Sequence, residues 1–136
     1  MNIKTLLYYP NLLDIRNAVT TLKDVVIVTP LSQNINYSRK FESNIFLKRE
    51  DLQQVRSYKI RGAYNKMSSL TSYEKEMGIV CASAGNHAQG VAFACQKLKI
   101  RGTIYMPAPT PKQKLEQVQM FGGDWIQVQL VGDTFD

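Results

Sequence analysis

Apolar positions along the chain follow first a helical and then an alternating strand–helix rhythm. Residues 12–22 place Leu12, Ile15, Ala18, Val19 and Leu22 at helical spacing. Val25–Val28 is a short β-branched run stopped by Thr29-Pro30, and Tyr37–Phe41 fits a helical turn or two. Ile45-Phe46-Leu47 predicts a short strand ahead of the charged run Lys48-Arg49-Glu50-Asp51. A regular alternation then begins. Ser57 is placed to cap a helix from Tyr58 to about Leu70. Thr71-Ser72-Tyr73-Glu74 is a capping-box pattern for a short helix that Gly78 stops. Ile79–Ala82 predicts a buried strand. The turn Ser83–Asn86 leads into a helix with Ala88, Val91, Ala92, Cys95 and Leu98 on one face. Thr103–Met106 predicts another strand. Thr110-Pro111-Lys112-Gln113 supplies an N-cap, a first-turn proline and a third-position Gln for a helix ending at Gly122-Gly123. Ile126–Val131 predicts the last strand.

Strands alternating with helices through short loops predict an α/β fold with a largely parallel sheet. Ligands of such sheets sit at the carboxyl ends of strands, beside helix amino termini. The chain ends just after a strand, with a strand–helix unit opened and not completed. The expectation is therefore one partial domain, residues 1–136, of a longer protein.

Composition narrows the class. The 136 residues suffice for one domain at most, and 44% hydrophobic residues can furnish a core. No run of about 18 apolar residues is present, so no transmembrane helix is expected. No signal peptide is visible at the amino terminus, which leaves the cytoplasm as the expected location. Cys81 and Cys95 lie in apolar stretches and read as reduced core residues. The net charge of +6 raises nucleic acid as a partner. The basic residues are spread along the chain without aromatic interleaving, so no nucleic-acid partner is expected.

Two segments carry chemistry. In Ser57-Tyr58-Lys59-Ile60-Arg61-Gly62, Lys59 falls in the first turn of its helix. The helix dipole disfavours an ammonium there, and partial burial pushes the same way. A neutral amine is what imine chemistry with an aldehyde needs. A surface lysine on a helix is the alternative. In Ser83-Ala84-Gly85-Asn86-His87-Ala88-Gln89-Gly90, a small-residue turn feeds a helix amino terminus that offers N–H groups to an anion. Asn86 acting as a plain N-cap is the alternative. His87, the only histidine, fits a capping or packing role more readily than a catalytic one.

Together these segments resemble the fold-type II pyridoxal-phosphate enzymes, and within them the threonine dehydratases (threonine ammonia-lyases). The resemblance rests on Thr29-Pro30-Leu31, Leu47–Gln53, Ser57–Tyr64, Ala82–Gly90 and Met106-Pro107. It implies pyridoxal 5'-phosphate as cofactor, with Lys59 forming the internal aldimine and then removing the substrate α-proton. It implies that Asn86 hydrogen-bonds the cofactor's ring oxygen, and that Ser83, Gly85, Asn86 and His87 embrace the substrate carboxylate. The implied reaction is β-elimination of water from L-threonine to 2-oxobutanoate and ammonia, toward isoleucine. No metal is implied. The family commonly forms dimers or tetramers.

Ile60 and His87 separate the chain from relatives that make cysteine or threonine, which tend to carry Asp and Thr there. Serine racemases place a serine where this chain has Ala84. Tyr58 replaces the usual Phe, and its hydroxyl needs a partner. The family's glycine-rich phosphate-binding loop and any regulatory domain are not in these residues, so the 136-residue chain by itself is expected to turn over little or nothing. The competing readings are a non-catalytic remnant or interaction module, and a serine dehydratase or racemase-like enzyme.

Overall fold

The structure, a computed structural model, describes residues 9–134. Helix α1, Leu12–Leu22, opens on a capping box between Asn11 and Asp14. Strand β1, Leu31–Gln33, pairs antiparallel with β2, Phe46–Lys48, around the short helix α2, Ile35–Lys40. A 3-10 turn, Glu50–Leu52, leads to α3, Lys59–Ser68. Then come α4, Ser72–Met77, β3, Ile79–Ala82, α5, Asn86–Leu98, β4, Gly102–Met106, α6, Lys112–Gly122, and β5, Ile126–Leu130.

β3, β4 and β5 form a parallel sheet in chain order. Two successive crossovers of one hand place α5 and α6 on the same face, and these two helices pack together. α5 also packs on α3 and on all three strands. It is buried at every position from Ala88 to Cys95, as expected of a helix enclosed on all sides. The core behind the sheet joins Cys81, Ile104 and Met106 to Val91, Ala92, Cys95 and Val118. The sheet's other face is open: Val80 is 75% exposed, and Ala82, Tyr105 and Gln127 are exposed too. β3 is therefore buried on one face only, a correction to the buried strand its apolar run suggested.

The capping box at Thr71 forms as expected, with Thr71 Oγ1 accepting from the Glu74 N–H at 3.2 Å and Glu74 accepting from the Thr71 N–H at 2.8 Å. Gly78 ends that helix at φ +83°, and a Cβ there would meet the Arg101 carbonyl oxygen at 2.9 Å.

The other two predicted caps do not form. Tyr58 stands at the N-cap of α3 in helical conformation with no side-chain cap, and the Ser57 hydroxyl is buried without a partner. At α6, Pro111 is extended, with ψ 136°, and its carbonyl accepts the first helical bonds. That leaves the Thr110 hydroxyl one residue too early to cap, buried and unpaired. Val25–Val28 forms no strand. Cys81 and Cys95 are free and buried, as their setting suggested. No helix among the described residues is long and apolar enough to cross a membrane.

Candidate active site

Lys59 is the first residue of α3 and is half-buried. Three contacts fix its backbone. Ile60, fully buried, packs with Val55 and Phe93 of α5. Gly90 of α5 lies against the peptide that follows Lys59: a Cβ on Gly90 would sit 3.0 Å from the Lys59 carbonyl oxygen and 3.3 Å from the Ile60 nitrogen. Only a glycine allows the two helices so close there. The third contact runs from Arg61 to Glu50, with Arg61 Nε 2.8 Å from Glu50 Oε2 and a terminal guanidinium nitrogen 2.8 Å from Oε1.

Glu50 also accepts from Thr29 Oγ1 at 2.6 Å. The Arg61 guanidinium, aided by Thr29, holds the Glu50 carboxyl down at about 2. Gln53, 2% exposed, clasps Ile27 through both backbone groups, accepting from its N–H at 3.0 Å and donating to its carbonyl at 2.8 Å. Between Gln53 and Ser57 the chain reverses at Arg56, whose φ of +55° is left-handed. That conformation costs a non-glycine residue roughly 1–2 kcal/mol. Thr29, Glu50, Gln53 and Arg61 were absent from the predicted site, although Leu47–Gln53 already stood out in the sequence.

Lys59 Nζ lies 5.2 Å from the centre of the Tyr58 ring. Tyr58 is 60% exposed, so solvent serves its hydroxyl.

Ser83, Gly85, Asn86 and His87 come together at the carboxyl end of β3 and the first turn of α5. Ser83 donates its N–H to the Tyr105 carbonyl at 3.1 Å, which anchors the turn to β4. The Gly85 N–H reaches Ser83 Oγ at 3.4 Å. Gly85, not Asn86, is the N-cap of α5, and no side chain caps the helix. The plain N-cap reading of Asn86 is thereby removed: it is the first helical residue, and its side chain is exposed. A Cβ built on Gly85 meets nothing within 4 Å. The turn is thus an uncapped helix start at the positive end of a helix of thirteen residues, whose N–H groups are suited to an anion.

His87 faces elsewhere as well. It lines an apolar pocket of about 250 Å³ with Gly62, Lys66, Met67, Val80 and Val91. The Lys59 side chain does not line that pocket.

A half-buried lysine and an uncapped helix start, linked by the contact of Gly90 with the Lys59 backbone, suit a cofactor held through an imine and a substrate held by its carboxylate. Residues 22–136 match the family described as pyridoxal-phosphate dependent enzyme. The chain belongs to that family. Among curated proteins, the biosynthetic L-threonine dehydratase IlvA of Bacillus subtilis is 55% identical, over 98% of this chain and 32% of that protein. The processed form of threonine deaminase isoform 2 from Solanum lycopersicum shares the fold with a TM-score of 0.76 and 42% identity, over 93% of this chain and 38% of that one. Maize serine racemase aligns with a TM-score of 0.81 and 30% identity, over 92% and 38% of the two chains. The chain spans about a third of the length of the curated relatives it matches.

Proposed function

We propose that residues 1–136 form part of the catalytic domain of a cytoplasmic, pyridoxal-phosphate-dependent threonine dehydratase, which converts L-threonine to 2-oxobutanoate and ammonia for isoleucine synthesis. The observation that carries this reading is the seating of the Lys59 backbone on Gly90, which joins the amine-bearing turn of α3 to the helix that begins with the open turn Ser83–Asn86.

When bound, pyridoxal 5'-phosphate supplies an electron sink for the pair left on the substrate α-carbon. Lys59 would hold the cofactor through its amine and would serve as the base for the substrate α-proton. The Asn86 amide would hold the cofactor's ring oxygen. The Gly85, Asn86 and His87 N–H groups and the Ser83 hydroxyl receive the substrate carboxylate, with the α5 dipole favouring its charge. Ala84 is half-buried and packs against the core. It offers no hydroxyl for proton transfer on the opposite face, which favours elimination over racemisation although serine racemases share the fold.

Titration with L-threonine, followed by amide NMR, tests the carboxylate assignment. Shifts confined to residues 83–88, absent with threonine amide, are expected. Equal shifts with both compounds would contradict it.

A further inference from the structure

We infer that Glu50 and Arg61 are positioning residues for Lys59, setting the roll of the first turn of α3 so that the amine faces the site. The inference rests on the reading of Lys59 as the cofactor amine. Successive helical residues are rotated by about 100°, so Arg61 points about 200° away from Lys59. Fixing one fixes the direction of the other.

The first turn needs this tether. α3 has no side-chain cap, and the Ser57 hydroxyl just before it is unpaired. Ile60 anchors one side and Gly90 bounds the backbone. The direction opposite Lys59 is held by the two-pronged contact of Arg61 with Glu50. Glu50 is itself held by Thr29, which is 3% exposed, and lies within 3.5 Å of Gln53 Nε2. Arg61 also reaches the Ile27 carbonyl at 3.5 Å. The clamp therefore ties α3 to two segments distant in sequence, 27–29 and 50–53. A planar guanidinium in this two-pronged arrangement sets an angle as well as a distance, which a lysine in its place cannot do.

Lys66 provides an internal control. Seven residues on, it lies on nearly the same side of α3 as Lys59 but beyond the clamp. The test uses the full chain and the variants Glu50→Gln, Arg61→Lys and their combination. Each is treated with pyridoxal phosphate and borohydride under conditions where urea titration shows it folded. Peptide mass spectrometry then gives the ratio of label at Lys59 to label at Lys66, and hydrogen exchange is followed along α3 without cofactor.

Each single variant is expected to lower the labelling ratio several-fold. Each is also expected to speed exchange at Arg61–Ala63 by about tenfold, as loss of a charge-assisted hydrogen bond implies, with the last turn of α3 unchanged. The combination is expected to add nothing further. An unchanged ratio in both single variants, independent additive effects, or uniform acceleration along α3 would overturn the inference. A wild-type chain showing no preference for Lys59 would instead overturn the functional reading, while the exchange data still decide the clamp.

Discussion

Replacing Gly90 by alanine adds one methyl group at the contact between α5 and the first turn of α3. The new Cβ would lie 3.0 Å from the Lys59 carbonyl oxygen, 3.1 Å from its carbon and 3.3 Å from the Ile60 nitrogen. All three atoms are backbone, so no side chain can swing aside, and α3 must move by a few tenths of an ångström. Two effects oppose each other. Alanine in a helix interior is favoured over glycine by about 0.8–1.0 kcal/mol. Overpacking a buried contact costs about 1–3 kcal/mol. The clash wins, and a net loss of about 1 kcal/mol is expected, which lowers the melting temperature by about 3–5 °C. Gly62→Ala is the matched control. It lies inside α3, is exposed, and its Cβ would meet nothing within 4 Å, so the propensity gain alone should stabilise by up to about 1 kcal/mol. Thermal and urea melts of both variants measure the difference. If Gly90→Ala stabilises the chain as Gly62→Ala does, α5 does not seat the Lys59 backbone as described.

Glu50, held at about 2 against an ordinary value of 4.5, binds its proton more weakly when folded. Its contribution is complete above about pH 4.5 and is lost as pH falls toward 2. The loss is at most about 3 kcal/mol by linkage, and urea midpoints across this window should fall less steeply in Glu50→Gln. A wild-type slope retained in that variant would contradict the assignment. Burial, with the neighbouring Cys81 thiol, pushes the Cys95 thiol up to about 11, and burial also raises Cys81. A thiol reagent at pH 8 should therefore modify both slowly in the folded chain and rapidly in urea; fast modification of the folded chain would show that the core behind the sheet is open.

Most of the helices and the parallel strands were legible because their signals are local. The periodicity of residues 12–22, the capping box at Thr71 and the small apolar face of α5 need no distant partner. What was missed depends on distant chain. β1 exists only through its pairing with β2. Ile27, in a β-branched run suggestive of a strand, gives its backbone groups to Gln53 instead. Ser57 and Thr110 have the right residue types for caps, but the backbone at Tyr58 and Pro111 shifts each helix start by one residue. The open face of the sheet could not be read from an apolar run, which shows hydrophobicity and not what covers it. In the site, Lys59 and Ser83–His87 stood out because motif residues cluster in sequence. The Glu50–Arg61 clamp with Thr29 and Gln53 did not, because charged and polar residues in a loop look the same whether solvated or joined in a network.

Lys59 is proposed as the amine that holds the cofactor. Its direct test is borohydride trapping of pyridoxal phosphate on the chain, with the modified residue located by mass spectrometry and Lys59→Ala as the control. Label is expected to concentrate at Lys59 and to be removed by the substitution without transfer to Lys66. Label spread evenly over the exposed lysines, and unchanged in total by Lys59→Ala, would contradict it.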